Sequence, residues 1–294
     1  MMTHRRFTPL LFLFPACAVY AVFVLLPIGE SLRLSLYHWS SPLAEPRFHG
    51  LANFADLLRD PIFWRALWHN ALLVILSLAV QLPVACGLAL LLQQPIRGRG
   101  LLRTALFAPM IMPTAAIAAL WLFLYQPGDG LLTQLIRLFR PDFDYGWLAV
   151  PTHALFWVFL TICWRHTGFH LVLFLAGVAA IPEDLYEAAR IDGAGEWAQA
   201  RHITLPLLKP VAAVAATLSV IGSLKYFDLV YLMLDRGVPE EHRELLATYV
   251  YRLAFSGFNG RYGYSSSVAV SLLVVALAVI LPLQWRRSRM EGAS

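Results

Sequence analysis

Lysine is almost missing from this 294-residue chain, with Lys209 and Lys225 the only two. Neither is followed by Ser or Thr, so there is no G-x-x-x-x-G-K-S/T loop to cradle nucleotide phosphates, and any ATP hydrolysis the chain depends on belongs to another polypeptide. H-E-x-x-H and G-x-S-x-G are absent, and no paired carboxylates suggest acid–base chemistry, which argues against a membrane enzyme. Cysteine is scarce: Cys17, Cys86 and Cys163 each lie inside an apolar run, without C-x-x-C spacing, so neither a zinc site nor a redox pair is indicated. Charged residues make up 14% of the chain, against about 25% in an ordinary soluble domain. The net charge of +5 does not point to nucleic acid, because the basic residues sit at the ends of apolar runs rather than in a stripe interleaved with stacking aromatics.

What the chain has in quantity is hydrocarbon. It is 59% hydrophobic with a mean hydropathy of +0.63, and its apolar residues fall into runs long enough to cross a bilayer. Six are expected: Leu10 to Gly29, Ala71 to Leu92, Thr104 to Tyr125, His153 to Ala180, Val211 to Leu234 and Ser266 to Trp285. The first is preceded by Arg5 and Arg6 and contains Ala16-Cys17-Ala18, which imitates a signal-peptidase site, but it runs on too far for a signal core and reads as a retained span. Aromatic residues at 13%, nine of them Trp, suit a protein with two water–lipid interfaces. Residues 1–294 are therefore expected to form one membrane domain.

Six spans place both termini on one side. Eleven basic residues flank that side (Arg5, Arg6, Arg97, Arg99, Arg103, Arg190, Arg201, Lys209, Arg286, Arg287, Arg289) against ten on the other. The totals are nearly equal, but the first set is packed into much shorter segments, and short loops are what the positive-inside rule weighs. Both termini and residues 181–210 are thus expected in the cytoplasm. The opposite segments, 30–70, 126–152 and 235–265, are long enough for short interfacial helices and for contact with a soluble carrier.

Residues 181–210 are the one long polar interruption between spans, with eight charged side chains that cannot lie in hydrocarbon. Pro182, Glu183 and Asp184 make a good helix start. Gly193 and Gly195 allow a sharp reversal, a second short helix from Glu196 to about His202 follows, and Leu205-Pro206 is expected to break it. The alternative is a solvated loop covering the bundle. Within this segment Glu187-Ala188-Ala189, Asp192, Gly193, Ile203, Leu205 and Pro206 spell E-A-A-x3-G-x9-I-x-L-P.

That spacing resembles the cytoplasmic signature loop of permease subunits in binding-protein-dependent ABC importers. Phe48-His49-Gly50-Leu51-Ala52-Asn53-Phe54, running on through Asp60-Pro61 and Phe63 to Asn70, resembles the family's first outer loop. Ala188 to Gly195, Phe227-Asp228-Leu229-Val230-Tyr231 and Tyr262-Gly263-Tyr264-Ser265 resemble its sugar-transporting branch, which serves maltose-type oligosaccharides, lactose and glycerol-3-phosphate. Leu234 to Pro239 departs from the T-x-G-G-P run usual after the fifth span. The resemblance implies an all-α integral membrane protein: a bundle of six transmembrane helices with a cytoplasmic coupling helix-turn-helix, the type I importer permease fold. It also implies residence in a bacterial cytoplasmic (inner) membrane. The implied partners are a second permease subunit, two cytoplasmic ABC ATPase subunits using ATP and Mg, an extracytoplasmic solute-binding protein and a sugar-like solute, with no cofactor on this chain.

Ionisable residues inside the spans mark a candidate solute path. Arg165 falls in the fourth span, and Lys225 and Asp228 in the fifth, three apart and so expected on one helix face. Tyr226 and Tyr231 add aromatic surface suited to sugar rings. The same residues could instead pair within the bundle. His166 and His170 have a metal-ligand spacing but no third ligand. A gradient-driven secondary transporter remains the rival reading, and it predicts Gly- or Pro-broken spans in matching halves, whereas Pro83, Pro109 and Pro113 crowd the first half.

Overall fold

The computed structural model describes residues 4–41, 43–234, 238–255 and 260–291, most of them helical. The only strands among them are Tyr37–His38 and Arg47–Phe48, an antiparallel pair with Tyr37 opposite Phe48. Among the described residues four helices are long and apolar enough to cross a membrane: Phe12–Leu34, Pro61–Gln93, Pro151–Ala179 and Tyr262–Pro282. Two bent pairs pass the same test together, Arg99–Ile111 with Thr114–Leu124 at 104° and Glu196–Leu207 with Lys209–Leu224 at 63°. Counting each pair as one crossing gives six.

Three expected limits are corrected. The second helix begins at Pro61 rather than Ala71. Proline suits the first helical position, and the preceding Asp60 accepts the Ile62 N–H at Oδ1, 2.8 Å away. The third span is not continuous: Pro113 forces Met112 out of the helical region, to ψ 144°, and a new helix starts at Thr114. The fifth helix stops at Leu224 and resumes at Asp228, so Lys225 and Asp228 flank a break instead of sharing a helix face. Lys225 caps the first helix and Asp228 opens the second, a carboxylate at the positive helix end.

Three Leu-Pro pairs are passed without a break. In three places a π-helical turn ends just before a Leu-Pro pair: Ala21–Leu25 before Leu26-Pro27, Ser77–Gln81 before Leu82-Pro83, and Ala200–Thr204 before Leu205-Pro206. Each leucine N–H reaches back five residues, to the carbonyls of Ala21, Ser77 and Ala200. The wider turn removes the clash between the proline ring and the preceding turn, so the helix continues. Leu205-Pro206 therefore does not break the second loop helix as expected. The chain stays helical to Leu207, and the 63° bend follows.

The described residues group into two compact units, 1–64 with 249–274, and 65–248 with 275–294. In the first, buried Asn53 donates to the carbonyls of Ser35 (2.8 Å) and Tyr37 (2.9 Å), fixing the strand pair. The hydroxyls of Tyr249 and Tyr264 both donate to Asp60 Oδ2. Burial alone would raise the Asp60 pKa, but these bonds and the backbone N–H groups of Ile62 and Phe63 outweigh it and hold the carboxyl below its ordinary 3.8. The Tyr249 hydroxyl is pushed upward, first by burial and then by the hydrogen bond it donates to Asp60.

The second unit is built around Pro151–Ala179, which packs against Leu82–Gln93 and Arg99–Ile111. One apolar cluster joins Leu73, Ile117, Val158, Phe159, Leu229 and Leu245, and another joins Leu82, Ala85, Leu171, Phe174, Leu208 and Ala215. Gly168 makes the helix crossing possible, since a Cβ there would lie 2.0 Å from the Leu106 carbonyl oxygen.

Candidate coupling loop and solute-path residues

The loop at 181–208 is a helical hairpin whose geometry follows from its spacing. Pro182 precedes the first helix as its cap, one position earlier than expected, and Glu183–Ile191 carries Glu183 and Asp184 in its first turn and Arg190 in its last. The helix ends in two bonds: Ala194 N–H to Ala189 O at 2.8 Å and Gly193 N–H to Arg190 O at 3.1 Å. These are the paired bonds of a Schellman ending, with Gly193 in the left-handed region at φ +78°. The four-residue step from Ala189 to Gly193 is thus the step from the carbonyl acceptor to the left-handed residue, which gives the x3 spacing a mechanical reason.

Side chains then lock the second helix against the first. The Tyr186 and Thr204 hydroxyls are 2.9 Å apart, Gln199 Nε2 donates to the Ala194 carbonyl at 2.7 Å, and Gln94 Nε2 donates to Glu196 Oε2 at 2.7 Å, tying the hairpin to the end of Leu82–Gln93. Arg190 and Glu183 meet only at 4.0 Å and are both exposed, so that pair adds little. Between the hairpin and the helix ends lies a groove of about 860 Å³ lined by Gln94, Arg103, Tyr186, Arg190, Glu196 and Trp197 among others. Of the signature residues, Glu187, Ala188, Asp192, Gly193, Leu205 and Pro206 are exposed, while Ala189 and Ile203 are half-buried. Large apolar side chains also reach water: Ile191 is 87% exposed and Trp197 74%.

The candidate path residues are partly brought together. Arg165, half-buried on Pro151–Ala179, lies beside the Tyr226 phenol, and the neighbouring His166 ring is 5.8 Å from that of Tyr226. The Arg165 Nε is buried with no hydrogen-bond partner among the described residues. Lys225 and Asp228 are exposed on either side of the break, and Tyr231 stacks on Phe227 at 5.1 Å. His166 Nδ1 is occupied by the Ile162 carbonyl at 3.0 Å. No group of three or more His, Cys, Asp or Glu that could hold a metal occurs among the described residues.

Sequence reasoning missed Tyr186, Thr204 and Gln199, and it named Asn70 only as the end of the outer-loop resemblance, without a structural role. A lone amide within an apolar run was the available signal for Asn70, but its partners are more than 150 residues away. The Leu234 to Pro239 departure spans residues 235–237, outside the described residues.

Six helical crossings with an exposed helical hairpin after the fourth define a type I ABC importer permease. Residues 81–286 match the binding-protein-dependent transport system inner membrane component family, and the chain belongs to it. It is 35% identical to the probable ABC transporter permease protein YurN of Bacillus subtilis (strain 168), over 96% of each chain. It is 33% identical to the lactose transport system permease protein LacF of Rhizobium radiobacter, over 95% of this chain and 93% of that one. Its fold matches a subunit of a bacterial ABC transporter involved in importing the acidic polysaccharide alginate, with a TM-score of 0.85 and 24% identity over 97% of this chain and 96% of the other. The chain is an inner-membrane permease component. Its importer depends on a binding protein, and the ATPase of such importers is a separate subunit.

Proposed function

We propose that this chain forms half of the translocation path for a sugar, polyol or sugar-phosphate, paired with a second and different permease chain above two ATPases. The exposed hairpin carries the reading: a polar knob closed by a Schellman turn, with Ile191 and Trp197 turned to water, has the shape and the uncovered apolar area that docking into a cleft requires. ATPase closure would push the hairpin, and its bonds through Tyr186–Thr204 and Gln94–Glu196 would pass the movement to the spans as a rigid body. Glu187, Ala188, Ala189, Asp192, Gly193, Ile203, Leu205 and Pro206 form the coupling surface. Arg165, Lys225, Tyr226, Asp228 and Tyr231 border the solute path, supported by the approach of Arg165 to Tyr226. Charge placement favours a cytoplasmic hairpin and cytoplasmic termini.

A gradient-driven carrier with three-span repeats would set its breaks at corresponding positions; here they fall in the third and fifth crossings. Crosslinking from Cys placed at Glu187 or Trp197, with the ATPase co-expressed, should capture the ATPase in membranes. Capture of the binding protein from outside instead would overturn the coupling role. Uptake that stops on ATP depletion and survives a protonophore is expected; the reverse pattern would reject ATP coupling.

A further inference from the structure

A helix that ends among apolar neighbours leaves carbonyls that neither lipid nor water can serve. The fifth span does this at Leu224, and the remedy comes from the second. Asn70, fully buried, donates from Nδ2 to the Ser223 carbonyl at 3.0 Å and the Leu224 carbonyl at 3.3 Å. Its Oδ1 accepts the Leu246 N–H, the first residue of Leu246–Phe255, at 2.8 Å. One side chain thus caps the C-terminal end of one helix and the N-terminal end of another. Next to it, His69 Nδ1 meets the Glu244 carbonyl at 2.9 Å, so two consecutive residues of the second span hold the segment that follows the break. Only a short side chain with two donors and an acceptor can make these three bonds together: aspartate lacks the donors, serine offers one, and leucine offers none.

We propose that Asn70 is a positioning residue for the solute path, holding the interruption between Leu224 and Asp228 in the shape that sets Tyr226 against His166 and Arg165, without meeting solute itself. Its consequence for transport rests on the path reading above; its geometric content does not.

The test uses the full chain co-expressed with its partner subunits in native membranes, with Cys17, Cys86 and Cys163 replaced by Ser and with His166→Cys and Tyr226→Cys introduced as a reporter pair. A short bifunctional thiol reagent should bridge the pair when residue 70 is Asn. In Asn70→Leu and Asn70→Asp, bridging should fall roughly tenfold, the scale of losing two buried hydrogen bonds, while the amount of protein in the membrane stays within about half of the parent. Asn70→Gln, which keeps both donors and the acceptor, should recover part of the yield. Hydrogen exchange at 221–228 should rise in the same variants and leave Pro151–Ala179 unchanged. Normal bridging in Asn70→Leu would overturn the proposal. So would failure of Asn70→Gln, Asn70→Asp and Asn70→Leu alike to accumulate, since that makes the residue a folding requirement. Tyr226→Ala with unaltered uptake would reject the path reading while leaving the Asn70 result standing.

Discussion

The chain interrupts its helices at two places that solve the same problem differently. At Asp192 to Gly195 the reversal stands in water, and nearly everything that shapes it is local: a left-handed glycine, two backbone bonds within six residues, and Gln199 reaching five residues back. At Lys225 to Phe227 the helix stops beside an apolar cluster that includes Tyr226, and what satisfies the helix end arrives from Asn70. Exposed breaks can rely on turn chemistry and solvent, whereas buried ones need a tertiary donor.

Several substitutions would sharpen or break that contrast. The largest effect is expected at the hairpin. Glu187→Lys, which reverses an exposed charge, and Gly193→Val, which puts a β-branched residue at φ +78°, should abolish uptake while membrane insertion and abundance stay near the parent level, measured by reconstituted transport and quantitative blotting. Unchanged uptake in both would mean that the exposed turn is not a coupling element. Next is Gly168→Ala, whose methyl group would overlap the Leu106 carbonyl; a loss of about 1–3 kcal/mol should appear as lower thermal stability in detergent. Tyr186→Phe should cost about 1 kcal/mol by removing the hydroxyl bond to Thr204, and should raise hydrogen exchange at 183–204 more than at 221–228.

The smallest effect concerns Asp60, a third polar site held by tertiary partners. Because its folded pKa is lowered, the stability it contributes is present above the unfolded value and is lost as pH falls below 3.8. Tyr249 has the opposite sign: its raised pKa adds stability that is complete below its ordinary 10.0 and lost as pH climbs beyond it. Melting followed by a probe in the first unit should therefore be flat near neutrality and fall at both extremes. Asp60→Asn should remove the acid fall, and an undiminished acid fall in that variant would place its origin elsewhere.

What the sequence made legible follows the same division. The hairpin was readable because Pro182, Ala189 and Gly193 act on neighbours a few residues away. The continuous fourth span was readable because no proline follows Pro151 within it and its polar residues Arg165, His166 and His170 are too few to end the apolar run. The end of the fifth helix at Leu224 was not, since Val211 to Leu234 looks uniformly apolar apart from Lys225 and Asp228, and the reason to stop there depends on contacts across 150 residues. Pro206 misled in the other direction: it looked like a breaker because a proline's local effect was weighed without the π turn that absorbs it.

Those π turns have a consequence for the faces of the helices. An α-helix advances about 100° per residue, so the extra residue each wide turn accommodates re-phases everything after it. Deleting Val80 from Ser77–Gln81 would remove that extra residue and close the turn to an ordinary α turn, leaving Ala85, Ala89 and Leu92 facing the neighbours they now meet but returning Pro83 to the clash that the wide turn avoids. The Leu-Pro pairs thus act as phase marks, and a hydropathy wheel for this chain has to be redrawn at each of them.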